Sequence, residues 1–574
     1  MNSQKIQGRK YLWQLTHGEQ KEIARLASTY HLSLPIIKTL VNRGYTTEEQ
    51  IQSFLFTDES VIGNPSLLKD AQKAVDRIIY AIANQEKILV AGDYDVDGIS
   101  STALVMLCLI HAGAQVNFFL PHRLRHGYGL STEVVERAAQ NDYSVIITVD
   151  NGITAFQAGK KASEVGVDLI ITDHHQAHEE IPEAYAIINP CQKDCEYPTD
   201  FLAGVGVAFK VMSLLYQKLG KDLPERVYEL LLFGTVADVV PLKGENRFWV
   251  RHSLQYVNKE ETPALRVLKN NARCLKPHIS SLDIGYSLAP QLNALGRLED
   301  PRDGVKFFIG EDAAQTERIG RVLYELNQAR RELEKKIVEE VIEKIEKGEI
   351  DIQGKRVIMA SSSSWQPGVI GLAASRIMNA YRRPTFLFHE TPEGLLKGSC
   401  RSIPEFNVFE ALSEMSDLFV SFGGHAVAAG MALHKKDFNT FLTSMEQLLQ
   451  ERLTEDDLRH KLSVDASVSL ADVTQKLAAD LKLLEPFGCQ NDRPVFNIRE
   501  VTLVEKPTLL KEAHVKCRIF AEGVIKPLIF FNRPDIYEEL IQRGEESFHV
   551  VAYVTENYWN GRFSVELQGI DIAY

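Results

Sequence analysis

Between residues 87 and 190 a short apolar run, followed by a polar or glycine-containing break and a helical stretch, recurs along the chain. The runs are residues 88–91, 116–120, 145–149, 169–171 and 186–188, each rich in β-branched or aromatic side chains. Strands this short and this uniformly apolar are buried on both faces. Alternation with helices predicts an α/β fold built on a parallel sheet. In such a sheet ligands bind beyond the carboxyl ends of the strands. The polar residues of this chain fall at those ends. The first run leads into Gly92-Asp93-Tyr94-Asp95-Val96-Asp97-Gly98, the third into Asp150-Asn151-Gly152, and the fourth into Asp173-His174-His175.

Asp93, Asp95 and Asp97 alternate, so in an extended segment they point the same way. Asp150, Asp173, His174 and Asp238, the last at the end of a helical stretch over 204–240, add carboxylates and an imidazole. Any one aspartate in such a place is an ordinary helix cap or turn residue. Several clusters at one sheet edge are not explained that way, because the carboxylates would repel unless cations lay between them. The mixture of oxygen and imidazole donors suits Mn2+ or Mg2+ better than a structural zinc site. The donors suffice for two ions, which can activate water and neutralise a phosphoryl transition state.

The remaining chain has a modular pattern. With 574 residues it has room for about three or four domains. Residues 1–60 read as short helices. Residues 311–348 form a long charged pattern without proline, a connecting helix, and a second α/β region starts near Ile350. The last hundred or so residues are β-rich, with Asn560-Gly561 as a hairpin turn, and predict a small barrel. The seven cysteines are scattered, which fits free thiols in a reducing cytoplasm. The opening Met1-Asn2-Ser3-Gln4-Lys5 has no signal-peptide pattern, and no apolar run is long enough to span a bilayer. The net charge of −13 argues against nucleic-acid binding in general, so the test is whether Arg and Lys lie near the acidic edge.

Asp173-His174-His175 after an apolar strand resembles the signature of the DHH phosphoesterases. The wider set resembles RecJ-type exonucleases within that superfamily: Gly92 to Gly98, Val149-Asp150-Asn151-Gly152, Gly234-Thr235-Val236-Ala237-Asp238 and Leu292-Asn293-Ala294-Leu295-Gly296-Arg297. Trp365-Gln366-Pro367-Gly368, Gly398-Ser399-Cys400-Arg401-Ser402 and Gly423-Gly424-His425 are similar to the DHH-associated domain. Glu485-Pro486-Phe487-Gly488 and His514-Val515-Lys516-Cys517-Arg518 are similar to the RecJ OB-fold. The resemblance implies a helical N-terminal segment over 1–60, a DHH catalytic domain over 61–310, a connecting helix over 311–349, a DHH-associated domain over 350–455 and an OB-fold over 460–574. It implies 5′→3′ hydrolysis of single-stranded DNA to 5′-mononucleotides with Mn2+ or Mg2+, in DNA repair and recombination. A phosphodiesterase for short oligonucleotides or cyclic dinucleotides is the alternative. A single-strand-binding protein and a helicase are the implied partners of a monomeric, cytoplasmic enzyme.

By the same resemblance Asp95, Asp97, Asp150, His174 and Asp238 are the metal ligands, with Asp150 bridging, while Asp93 and His175 assist. Two positions depart from the family pattern. Ala91 stands where many relatives carry histidine, leaving Asp93 or water to substitute, and Gln366 stands where many carry histidine. The substrate would be held by Arg123, Tyr128, Arg297, Ser399 and Arg401, arginine being suited to bidentate phosphate contact. Gly423, Gly424 and His425 offer backbone N–H groups for close approach. His514, Lys516 and Arg518 alternate, so on a strand they share one face, and Tyr558, Trp559 and Phe563 flank the hairpin as stacking groups.

Overall fold

The structure is a computed structural model and describes residues 3–16, 20–122, 129–310, 312–559 and 562–574. Its contacts divide the chain into two compact units. One comprises Phe56–Glu332 with Pro486–Asp492; the other comprises Met1–Leu55, Leu333–Glu485 and Arg493–Tyr574. No helix among the described residues is long and apolar enough to cross a membrane.

A hairpin of β1 (Ser3–Gln7) and β2 (Leu12–Thr16) opens the chain. In the first unit, β3 (Lys87–Ala91), β4 (Gln115–Phe119), β5 (Tyr143–Val149), β6 (Asp168–Thr172) and β7 (Ala186–Ile188) form one sheet in the order β4-β3-β5-β6-β7. Every pairing in it is parallel. The apolar runs are continuous because both faces are covered. Val90, Val145, Ile147 and Ile170 pack with Ile99, Ala103, Val205, Val207 and Phe233 on one side. Leu89, Ile146, Leu169 and Ile171 pack with Val135, Ala138, Ala158 and Ala162 on the other. Strand order reverses between β3 and β5, so the crevice of the switch point opens where Asp93 to Asp97 and Asp150 emerge.

The helix Gly204–Leu219, whose N-terminus faces that crevice, is tied down by a buried ion pair. Lys210 Nζ lies 2.8 Å from Glu245 Oε1 and donates to the Gly63 carbonyl at 2.7 Å. The other Glu245 oxygen accepts from Tyr197 and from the Gly63 N–H, and Trp249 Nε1 donates to Oε1. Removing one partner of such a pair leaves a buried charge without its counterion.

In the second unit, β8 (Ile358–Ser362), β9 (Thr385–Glu390), β10 (Leu395–Arg401), β11 (Ser421–His425) and β12 (Ala428–His434) form a mixed sheet in the order β11-β12-β10-β9-β8. Only β8 and β9 are parallel. The strands β13 (Lys461–Val464), β14 (Ala466–Val468), β15 (Phe496–Leu503), β16 (Thr508–Leu510), β17 (His514–Ala521), β18 (Val524–Phe530), β19 (Phe548–Trp559) and β20 (Arg562–Ala573) follow. Pairing runs β15-β19-β20-β18-β17 and returns from β17 to β15, which closes a five-stranded barrel. The helix Ala313–Glu346 is continuous over 34 residues, as the charged pattern predicts.

Residues 1–60 depart from the helical expectation. The chain opens with a β-hairpin, and β2 pairs in parallel with β13. Trp13 is fully buried, and its Nε1 donates to Asp571 at 3.1 Å. The same carboxylate accepts the N–H groups of Lys10 and Tyr11 and pairs with Arg533. These partners lie far along the chain, so local propensity did not indicate a strand. Helices begin at Gln20.

Glu245→Ala is expected to destabilise the first unit by about 3–5 kcal/mol, because Lys210 is left buried and unpaired. Urea unfolding measures this, and the double replacement Lys210→Met with Glu245→Leu should cost markedly less than the single one.

Candidate metal centre

Three strand ends and one helix end deliver the acidic edge. Asp95 is the N-cap of the helix Val96–Ala112, its carboxylate accepting the Gly98 N–H at 3.1 Å. Asp97 lies in the first turn and is 1% exposed. Its two oxygens accept the Gly204 and Val205 N–H groups at 2.6 and 2.9 Å, the opening residues of the helix Gly204–Leu219. Two helix N-termini thus face these carboxylates, and their dipoles favour negative charge there. Gly234 makes this possible from a third side, since a β-carbon there would stand 2.6 Å from Asp97 Oδ1.

Asp150 follows β5 with φ +61°, a left-handed conformation that aspartate tolerates better than most residues. The adjacent Asn151 is buried and spans the Ala91 and Val149 carbonyls with its side-chain amide, which joins the β3 and β5 ends. His174 Nε2 lies 3.2 Å from Asp150, 3.6 Å from Asp238 and 3.9 Å from Asp97. Asp238 caps the C-terminus of the helix Val227–Ala237.

The donors fall into overlapping groups: Asp93, Asp95 and Asp150; Asp97, His174 and Asp238; and Asp150, His174 and His175. Asp150 and His174 each belong to two of them. Asp173, counted with the donors in the sequence, belongs to none. It turns inward and accepts the N–H groups of Ile153, His174 and His175 at 2.9, 2.7 and 3.1 Å, and it contacts His175 Nδ1 at 2.7 Å. Asp173 thereby fixes the backbone and the ring of His175, which sets which way that imidazole faces.

The electrostatics are those of crowded carboxylates. Burial, then Asp95 beside it, pushes Asp97 up to about 7. Burial, then Asp97, Asp95, Asp238 and Asp93, holds Asp150 well above the carboxylate range. Asp238 is raised by burial, then by Asp97, Asp95 and Asp173. Burial, with His175 adding to it, lowers His174 to about 4, so its ring is neutral at pH 7. Burial works most strongly against charge on His175, but the Asp173 hydrogen bond and the charges of Asp173, Asp97 and Asp95 together raise the ring.

These groups fit divalent cations. His174 Nε2 is buried and, despite its carboxylate neighbours, makes no hydrogen bond with any described group. A lone pair aimed into a pocket of carboxylates is what a cation needs, and oxygen donors with one imidazole match Mn2+ and Mg2+.

The residues expected to hold substrate fall in separate places. Arg297 is half-buried in the last turn of the helix Ala289–Leu298, in the unit of the acidic edge. Ser399 and Arg401 sit on β10, with Arg401 Nη1 donating to Ser399 Oγ at 3.1 Å. Gly423, Gly424 and His425 lie on the exposed edge strand β11. Ser399 is in register with Gly430 and Gly423, and Arg401 with Ala428 and His425, so small residues separate the two functional rows on one face. His514, Lys516 and Arg518 do share the outward face of β17, while Val515, Cys517 and Ile519 point into the barrel. Arg123 and Tyr128 lie outside the described residues, as do the side chains of Tyr558, Trp559 and Phe563.

Residues 87–235 match the DHH family, N-terminal domain, residues 354–451 the DHHA1 domain, and residues 464–571 the RecJ OB domain. The single-stranded-DNA-specific exonuclease RecJ of Bacillus subtilis (strain 168) is 34% identical over 566 residues, which cover 98% of this chain and 71% of that protein. The RecJ of Escherichia coli (strain K12) is 33% identical over 476 residues, 79% of this chain and 82% of that protein. This chain belongs to the RecJ family of DHH phosphoesterases. RecJ from Thermus thermophilus, solved in complex with Mn2+, superimposes with a TM-score of 0.83 at 25% identity, covering 98% of this chain and 79% of that one.

The structure gathers at one sheet edge the aspartates and histidines to which the sequence points. Sequence reasoning missed Asn151, which cross-links the strand ends, because a buried asparagine after Val149 reads as a turn residue. Cation uptake requires the raised carboxylates to lose protons. Mn2+ binding to the metal-free protein is therefore expected to release protons near pH 7 and to tighten about tenfold per pH unit for each proton displaced, over the range below the raised pKa values. Calorimetry in buffers of differing ionisation enthalpy checks both, and His174→Ala should abolish the tight uptake.

Proposed function

We propose that this chain is a single-strand-specific DNA exonuclease that works 5′→3′, releases 5′-mononucleotides and uses two divalent cations, Mn2+ or Mg2+. The observation that carries this reading is the convergence of Asp95, Asp97, Asp150, His174 and Asp238 at one sheet edge, in a chain that also contains a RecJ OB domain. The relatives named single-stranded-DNA-specific exonucleases, and the Mn2+-bound Thermus protein, support it.

In this proposal Asp95, Asp97, Asp150, His174 and Asp238 would hold the cations, and Asp150, shared by two donor groups, would be the bridging carboxylate. Asp93, grouped with Asp95 and Asp150, supplies an oxygen in place of the imidazole nitrogen that Ala91 lacks. His175, fixed by Asp173, lies beside Asp150 and His174 and orients substrate or solvent. Gln366 takes no acid–base part. A bound cation pair supplies Lewis acidity at the phosphoryl oxygens and lowers the pKa of the attacking water.

Substrate grip follows the chemistry of each surface. Arg401, held by Ser399, presents a guanidinium for a terminal phosphate on a sheet face whose neighbours Ala428, Gly430 and Gly423 leave room for a nucleotide, with His425 at the far row. Gly423 and Gly424 lie on an edge strand whose backbone groups can meet a phosphate or base. Arg123, Tyr128 and Arg297 join Ser399 and Arg401 in holding the 5′ end and the adjacent phosphates. His514, Lys516 and Arg518, beside the exposed Phe520, Ile525 and Phe531, track the strand by charge and stacking. The domain limits proposed are 61–310 for catalysis, 311–349 for the connecting helix, 350–455 for the DHH-associated region and 460–574 for the barrel. A cytoplasmic, monomeric enzyme working with a single-strand-binding protein and a helicase completes the proposal.

A strand labelled separately at each end tests it. Mononucleotides should appear from the 5′ end with Mn2+, not with EDTA, and not from duplex. Release from the 3′ end, or faster cleavage of a dinucleotide than of a long strand, would overturn the assignment. Asp150→Asn should remove activity while leaving the fold intact. Arg401→Ala should slow cleavage of a 5′-phosphorylated strand about tenfold to a hundredfold, the cost of one charge-assisted hydrogen bond of ~1.5–3 kcal/mol.

A further inference from the structure

The helix Ala289–Leu298 follows directly on one turn of π-helix, Ile284–Leu288, a rare geometry that clusters near functional sites. It contains no residue of the acidic groups, yet it packs on the loop that presents them. Asn293 Oδ1 accepts the Val96 N–H at 3.2 Å. Val96 is the first residue of the helix that Asp95 caps, so its N–H is one of the donors that a helix leaves unsatisfied. Asp95 itself takes the Gly98 N–H. The two caps divide the work: Asp95 satisfies the third residue of the helix, Asn293 the first. One turn further along, Gly296 lets this second helix close in, since a β-carbon there would stand 2.3 Å from the Tyr94 carbonyl oxygen. The backbone on both sides of Asp95, at Tyr94 and at Val96, is therefore fixed from one helix.

We infer that Asn293, with Gly296 allowing its approach, is a positioning residue that sets where Asp95 and Asp97 stand and hence how tightly the acidic edge takes a divalent cation. This rests on the metal-dependent reading of the site but not on its substrate. Asn293 touches no reacting group in this assignment. It works by holding the Val96 N–H, which fixes the backbone that carries the Asp95 carboxylate and the oxygen that Asp95 does not spend on Gly98. Groups of this kind alter metal affinity by about tenfold to a hundredfold when removed.

The experiment uses the full chain and reads affinity without substrate. Mn2+ titrated into metal-free protein is followed by the electron paramagnetic resonance of free Mn2+. Hydrogen exchange of the segment containing Val96 is followed in the absence of metal. Asn293→Leu removes the acceptor at similar size; it is expected to weaken Mn2+ binding about tenfold or more and to speed exchange at that segment. Asn293→Asp keeps an oxygen facing Val96 and should hold affinity near or above that of the unchanged protein. Gly296→Ala, which displaces the Tyr94 carbonyl, should weaken binding in the same way and serves if Asn293→Leu does not fold. A folded Asn293→Leu or Gly296→Ala protein with unaltered Mn2+ affinity overturns the inference, as does Asn293→Asp binding as weakly as Asn293→Leu. An unchanged protein that takes up Mn2+ but degrades no single strands overturns the nuclease reading alone.

Discussion

Crowding of carboxylates at the end of a parallel sheet is the constraint on which the rest of this molecule depends. Asp93, Asp97, Asp150 and Asp173 are all buried, with Asp95 and Asp238 beside them. Buried anions at these separations cannot all stay ionised in a protein interior without compensation. The fold compensates first with backbone. Asp97 takes two N–H groups from a helix start, Asp95 takes one from its own helix, and Asp173 takes three from the loops after β5 and β6. His174 then points its Nε2 at Asp150 and Asp238, 3.2 and 3.6 Å away. The surrounding helices, the buried Lys210–Glu245 pair and the glycine at 234 can all be understood as means of bringing donors to that edge.

Much of this was legible in the sequence because parallel strands advertise themselves. A run buried on both faces must be apolar throughout, so β3, β5, β6 and β7 fall on the apolar runs. Their ends then locate the site, since polar residues directly after such runs have only one edge to occupy. What was not legible depends on partners distant in the chain. The hairpin β1–β2 exists because β13 and Asp571 receive it, and nothing near residue 13 announces either. The roles of Asp173 and Asn293 were hidden for a related reason. Composition reports that a carboxylate or an amide is present, but only the fold decides whether it faces the cation or the backbone behind it.

The net charge of −13 also resolves locally. Four of the buried acids, Asp93, Asp97, Asp150 and Asp173, gather at the one sheet edge. The basic groups sit elsewhere, on faces that the pleat selects. On β17 the alternation places Lys516 and Arg518 outward together with Phe520, while the intervening residues fill the barrel. A chain can therefore be acidic overall and still present a face suited to a polyanion, because attraction acts over about one Debye length and not over the whole molecule.

Ala91 makes the donor groups unequal. It ends β3, is buried among Leu89, Leu130 and Val135, and its carbonyl is taken by Asn151. A methyl group there leaves the group of Asp93, Asp95 and Asp150 with oxygen donors alone, whereas Asp97, His174 and Asp238 include an imidazole. Two cations held at these groups would not be equivalent. Oxygen-only coordination suits a hard ion that keeps part of its water, and an imidazole raises the preference for Mn2+ over Mg2+. The asymmetry between the two groups follows from a residue at position 91 that offers no donor atom.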